Sequence, residues 1–352
     1  MRILSQIADA IAYRFRAAQL YNRAQYEVAS RMKLLNCHYH PIWLHFYVTS
    51  RCNFRCRFCT NHAEGETGNI SIGYHKPLAD LALPTFQEAV TRFDRAMVCT
   101  FCGVGEPFLS PDLFNMIAYA KSKRMIAEVI TNGSFLSPAQ VDKILESRLD
   151  RITISLLESD EQEYQHLINI KRNMFSKVTE DIALLVASRN QKRAKLEIKI
   201  SRVLTRSALP KAEAFIQLGI KLGVDRVIFH NLIFAEITDF ALEECLFDDP
   251  ETRMYFERLK EKYETYIQIE TPTLLERDLR KKKPSCRWYW KNMSIDADGN
   301  VSGCGRFITP KPAYGNFTDA DPLNNSHFIE MRNSFINNDI LEVCKNCVES
   351  SQ

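Results

Sequence analysis

Cys52, Cys56 and Cys59 stand in a C-x3-C-x2-C run, and a backbone curled into a loop can bring all three sulfurs to one centre. Thiolates are the usual ligands of a [4Fe–4S] cluster, so three cysteines leave one of its irons open to another ligand. Phe58, just before the last cysteine, is an aromatic able to shield such a cluster from water. The spacing also admits a different metal. Cys52, Cys56 and Cys59 with His62 make a three-Cys, one-His set that suits tetrahedral Zn²⁺.

A second set lies near the end of the chain. Cys286, Cys304, Cys344 and Cys347 are separated by a stretch in which Asp298-Gly299 signals a hairpin turn. A tight hairpin would hold Cys286 and Cys304 at neighbouring positions, and the terminal C-x2-C would fold back to complete a four-thiolate site. A four-Cys zinc ribbon fits that spacing as well. Four cysteines remain. Besides Cys37, the C-x2-C pair of Cys99 and Cys102 has the spacing of a redox pair but falls on an expected buried strand, where cysteines usually pack as small hydrophobes. Cys245 follows the last expected barrel strand, near where a substrate would lie.

These loops need rigid elements beneath them. Residues 42–49 are rich in β-formers and read as a strand that delivers the first cysteine loop. Further strands are expected at 96–103, 126–131, 151–157, 196–203 and 225–231. Amphipathic helices are expected at 83–93, 113–123, 138–146, 177–188 and 209–222. Six βα repeats predict parallel strands with right-handed crossovers, an α/β fold of the partial (β/α)6 TIM type, with ligands at the C-terminal strand ends. The expected division is 1–41 as an N-terminal helical segment, 42–235 as the barrel, 236–285 as a connector and 286–352 as a small C-terminal domain. In the first segment Ile3, Ile7, Ile11, Phe15 and Ala18 form a stripe expected to dock on the barrel, with a membrane-surface role as the alternative. Arg280–Lys283 before Pro284 reads as a solvated connector.

Composition narrows the class. The chain has 352 residues with 46 basic and 43 acidic side chains, and that near balance argues against a dedicated nucleic-acid binder. No apolar run approaches the roughly 20 residues that span a bilayer. Eleven cysteines in an odd, clustered pattern, with no signal-peptide pattern ahead of them, favour metal ligation in a reducing cytoplasm over disulfides.

The C-x3-C-x2-C run resembles the signature of the radical S-adenosylmethionine (radical SAM) superfamily. The resemblance implies that SAM chelates the open iron through its amino and carboxylate groups. The reduced cluster then cleaves it to methionine and a 5′-deoxyadenosyl radical, which abstracts a substrate hydrogen atom. Gly103-Val104-Gly105-Glu106-Pro107 resembles the family's Gly-Gly-Glu-Pro element, which implies that Gly103, Gly105 and Glu106 seat the SAM amino group. Asn132, in Thr131-Asn132-Gly133, and Ser155 fall where related chains meet SAM, and Lys171 or Arg172 falls near a residue that pairs with the SAM carboxylate. Residues after 286 resemble the SPASM or shorter twitch extension. The middle C-x2-C-x5-C-x3-C block of a full SPASM domain is absent, so one auxiliary [4Fe–4S] cluster on Cys286, Cys304, Cys344 and Cys347 is expected.

The reaction implied first is oxidation, by dehydrogenation of a small molecule or peptide, with a flavodoxin or ferredoxin as electron donor. The rival reading is an epimerase that uses Cys245 as hydrogen-atom donor. No leader-recognition domain is read ahead of the barrel, which tilts the expected substrate toward a small molecule. From another class, a non-catalytic zinc protein would use both cysteine sets for folding or partner binding.

Overall fold

The computed structural model describes residues 15–57, 59, 79–170, 172–232, 239–276, 286–305, 310–345 and 347. The first helix, α1, spans Ala17–Arg31. Six strands follow: β1 (Trp43–Tyr47), β2 (Val98–Cys102), β3 (Ile126–Thr131), β4 (Arg151–Ser155), β5 (Glu197–Leu204) and β6 (Arg226–Asn231). Each pairs in parallel with the next. Between them run α2 (Leu83–Arg92), α3 (Leu113–Ser122), α4 (Pro138–Glu146), α5 (Glu161–Ile168), α6 (Phe175–Lys192) and α7 (Ala212–Leu222). The expected (β/α)6 arrangement is therefore present. Of these barrel helices only α5 was not expected from sequence, because its eight residues leave too short an apolar stripe. Asp160 caps its first turn through the Glu163 amide, and Asn169 ends it in the left-handed conformation.

Alternation along the strands sorts the barrel into two environments. Phe46 and Phe101 pack outward on Phe86 of α2, with ring centroids 4.6 and 5.6 Å away. The opposite face carries polar groups. The Trp43 indole donates to Thr100 Oγ1 at 2.7 Å, Thr100 donates to Glu128 at 3.2 Å, and Lys199 Nζ lies 3.0 Å from Glu128. These groups satisfy one another, as burial requires.

The sheet continues past the six strands. After α8 (Asp239–Glu244) and α9 (Pro250–Tyr263), β7 (Gln268–Glu270) pairs with β6. On the other edge, after α10 (Trp288–Lys291), β8 (Asn292–Ile295) runs parallel to β1, with Trp43 opposite Asn292 and Phe46 opposite Ile295. The short β9 (Val301–Ser302) returns antiparallel to β8, and Gly299 at φ 80° makes the turn that Asp298-Gly299 announced. Among the described residues, one nine-stranded sheet thus joins the barrel to the C-terminal region. The chain ends in α11 (Ser326–Asn337) and α12 (Glu342–Lys345). Buried Arg332 of α11 donates to the carbonyls of Tyr289, Leu35 and Leu323 at 3.0, 2.8 and 2.7 Å.

α1 closes the N-terminal ends of the strands, and it docks differently from the expected apolar stripe. Phe15 is buried but Ala18 is exposed, while Ile3, Ile7 and Ile11 lie outside the described residues. Tyr26 and Ala29 of the helix enter the core, and buried polar side chains anchor it to backbone groups. Gln19 donates to Ala96 O at 2.8 Å, and Asn22 donates to His40 O at 3.0 Å and Arg95 O at 3.2 Å while accepting the His40 amide at 2.8 Å. These backbone groups immediately precede strands and have no ladder partner there. Asn22→Ala strips three of these bonds inside the fold, so we expect a stability loss of about 2 kcal/mol, measurable by denaturant unfolding.

Candidate functional site

The first cysteine loop leaves β1 at the C-terminal end of the barrel and is pinned on three sides. At its entry Arg51 forks onto Asp80, with Nε to Oδ1 at 3.1 Å and Nη2 to Oδ2 at 2.6 Å, and Thr49 Oγ1 also donates to Asp80 at 2.6 Å. Farther along, the amides of Arg55 and Arg57 donate to Ile168 O and Leu167 O at the end of α5, at 3.1 and 2.9 Å. Phe54 is buried beneath the loop, and Cys59 N bonds Cys56 O at 2.9 Å, which curls the last turn. Phe58, His62 and Lys171 lie outside the described residues.

The glycine element after β2 meets the same loop. At Gly105 an added Cβ would fall 2.2 Å from Arg51 O and 2.7 Å from Thr49 O, so only glycine permits this approach. Next to it, the Glu106 amide donates to Arg51 O at 2.8 Å. The Glu106 carboxylate is 1 % exposed and accepts Thr131 Oγ1 at 2.7 Å, the Asn132 amide at 2.7 Å and the Phe108 amide at 3.2 Å. Asn132 in turn donates its side-chain amide to Asn53 Oδ1 at 2.9 Å, and Asn53 donates to Ser134 Oγ at 2.8 Å. Glu106, Thr131, Asn132 and Asn53 therefore tie the β2 and β3 ends to the cysteine loop. Asn53, Arg51 and Asp80 were not singled out from sequence. Their only signal there was position beside a cysteine or, for Asp80, nothing at all.

Burial pushes the Glu106 carboxyl up to about 7, against three hydrogen bonds that favour the charged form. The folded chain thus holds this proton well above the value of 4.5 for a free glutamate. The stability it lends is complete below about 4.5 and is lost as pH rises through about 7. Glu106→Gln should flatten the pH dependence of the melting temperature across that interval, removing up to about 1 kcal/mol per pH unit.

A cavity of about 650 Å³ opens beside the loop, at the C-terminal ends of β3, β4 and β5. Cys56, Cys59, Asn132 and Ser155 line it together, with Phe54, Leu157 and Val203 supplying apolar wall. Leu157 adopts φ 57°, a strained backbone for a leucine, in that wall. The volume lies within the range of small-molecule and cofactor sites. Arg172 is exposed and does not line the cavity, and Cys245 is buried elsewhere with Sγ 3.4 Å from Asn231 Oδ1.

Electrostatic coupling links the thiols within each cysteine set. Burial, then the charges of Cys59 and Cys52, push the Cys56 thiol up to about 12, and burial likewise raises Cys52. Burial raises Cys286 well above its ordinary value, and Cys304, Cys347 and Cys344 all add to that effect. Among the described residues, however, no three His, Cys, Asp or Glu side chains crowd closely enough to hold one ion. Sets of three and four thiolates are the donors that an iron–sulfur cluster takes. The donor sets fit clusters, and the cavity beside Cys56 and Cys59 fits a cofactor the size of SAM. Cys99 is fully buried on β2, and burial and Glu128 push the Cys102 thiol up to about 12.

Comparison with known proteins agrees with this geometry. Residues 46–192 match the radical SAM superfamily, and residues 286–348 match SPASM, an iron–sulfur cluster-binding domain. The tungsten-containing aldehyde ferredoxin oxidoreductase cofactor-modifying protein of Pyrococcus furiosus is 24% identical over 276 residues, 76% of this chain and 71% of that one. The PqqA peptide cyclase of Granulibacter bethesdensis is 24% identical over 192 residues, 54% of this chain, and the chain spans only 47% of that relative. The crystal structure of Streptococcus suis SuiB bound to S-adenosylmethionine shares the fold at TM-score 0.62 and 16% identity, over 88% of this chain and 72% of that chain. With its cysteine loop on β1, its glycine element on β2 and its C-terminal thiols, the chain belongs to the radical SAM superfamily and carries a SPASM domain; its cofactors are SAM, a [4Fe–4S] cluster and auxiliary iron–sulfur chemistry.

Proposed function

We propose that this radical SAM enzyme oxidises its substrate, removing two electrons and two hydrogens from a small molecule or peptide. The cluster held by Cys52, Cys56 and Cys59 would supply one-electron cleavage of SAM. Asn132 and Ser155 on the cavity wall would orient the cofactor, and Gly105 and Glu106 would hold the loop that carries the thiols. Gly103 and Gly105 would seat the amino group; the basic partner of the carboxylate expected at Lys171 or Arg172 gains no support, since Arg172 does not line the cavity. The observation behind oxidation is a set of four thiols, Cys286, Cys304, Cys344 and Cys347, in which the last three act electrostatically on the buried thiol of Cys286. Four thiolates on one cluster leave no iron open for substrate, which suits an electron acceptor. The substrate would lose one hydrogen atom to the 5′-deoxyadenosyl radical and then a proton to solvent, and Cys286, Cys304, Cys344 and Cys347 would hold a cluster able to take the remaining electron, with a ferredoxin or flavodoxin as the external carrier.

A peptide is the substrate class that the relatives favour: one is named a peptide cyclase, and SuiB has been crystallised bound to precursor peptide SuiA. Epimerisation requires a thiol that reaches the substrate. Burial of Cys245 against Asn231, away from the cavity lining, weighs against it. Reconstituted protein with SAM and reductant should release 5′-deoxyadenosine, and Cys245→Ala should leave turnover within about twofold of the parent. Stalling of that variant after a single turnover, with solvent deuterium entering the product of the parent enzyme, would replace oxidation by epimerisation.

A further inference from the structure

The face that α1 turns to water is apolar, unlike that of an ordinary surface helix. Its buried side carries Gln19, Asn22 and Ser30 beside Tyr26 and Ala29, whereas Leu20, Tyr21, Val28 and Met32 are 43%, 64%, 54% and 68% exposed. At about 100° per residue those four fall within one arc of roughly 120°. Leu34, 40% exposed, follows just beyond the helix. A contiguous apolar face rimmed by polar residues marks an interaction surface.

Charge indicates what it meets. The first 35 residues hold six basic side chains, Arg2, Arg14, Arg16, Arg23, Arg31 and Lys33, against two acidic ones, Asp9 and Glu27. Glu27 is already engaged by Arg23 at 2.6 Å and Arg31 at 3.5 Å. Arg31 still exposes 67% of its side chain inside the arc, and Lys33 is exposed after it. We propose that α1 docks on an anionic lipid surface. Leu20, Tyr21, Val28 and Met32 enter the boundary between headgroups and acyl chains, and Arg31 and Lys33 meet lipid phosphates, as in a helix that lies in the interface plane. No described helix is long and apolar enough to cross a membrane, so the attachment is peripheral. The backbone groups that α1 binds precede β1, β2 and β3, so the cavity at the opposite strand ends stays open to water.

The test is co-sedimentation of the full, reconstituted chain with vesicles of phosphatidylcholine alone or with roughly a third phosphatidylglycerol. Anionic vesicles should bind about tenfold more tightly than neutral ones and release the protein in high salt. Val28→Asp with Met32→Asp should abolish binding, and Arg31→Glu with Lys33→Glu should reduce it to the neutral-vesicle level. Because these side chains are exposed, each variant should keep the parent's melting temperature and iron content, and a variant that does not is replaced by Tyr21→Glu. Equal binding to both vesicles, none to either, or binding unaffected by both double variants would overturn the proposal. So would a concentration-dependent dimer that disappears in Val28→Asp with Met32→Asp, since the stripe would then serve a second copy.

Discussion

Gly105→Ala should cost at least about 3 kcal/mol and prevent the barrel cluster from assembling, although neither atom it adds nor atom it meets belongs to a thiol. The new methyl would overlap the Arg51 carbonyl at 2.2 Å and crowd Thr49 O at 2.7 Å, and both are backbone atoms that no rotamer change can move. The clash must be relieved by shifting the entry to the cysteine loop, which also strains the Glu106-to-Arg51 bond. Gly103→Ala offers a graded control, because its added methyl would sit 3.0 Å from Thr49 O and asks for only a small adjustment. Iron content after reconstitution and the melting temperature read both variants. Full iron loading and an unchanged melt in Gly105→Ala would show that the loop has slack the packing denies.

Cys56→Ala should abolish 5′-deoxyadenosine release altogether while leaving about half of the iron. If each cysteine set holds one cubane, the parent carries about eight irons, and this variant keeps the roughly four that belong to the C-terminal set. Cys304→Ala should show the converse: the barrel cluster and SAM cleavage persist, and the substrate is not oxidised. The buried Cys56 thiol, pushed up to about 12, enters the site protonated at neutral pH, so ligation must expel a proton. Cluster loading should therefore rise with pH through the neutral range in the parent protein. Retention of all iron by Cys56→Ala would remove Cys56 from the ligand set.

How much of this was legible in the residues depends on how local each signal is. The cysteine spacings, the glycine element after β2, the Asp298-Gly299 turn and all six barrel strands were readable from neighbouring residues, because loop closure, turn chemistry and strand alternation are short-range effects. α1 was foreseen as a helix but not how it docks. Hydrophobic periodicity says nothing about a buried Asn22 that earns its place by satisfying backbone groups brought in from other strands.

The amino-acid sequence by itself determined the chemistry available to this protein: two thiol sets, a partial parallel barrel and glycines where backbones must come close. Only the tertiary structure decided that Asn53, Asn132 and Glu106 form one hydrogen-bonded brace, that Arg51 clamps Asp80, and that β8 extends the barrel sheet beside β1. Each of those outcomes joins segments distant in the chain. Whether such partners meet is set by which packing buries the core and leaves the fewest polar groups unpaired, a property of the whole fold and not of any stretch of it.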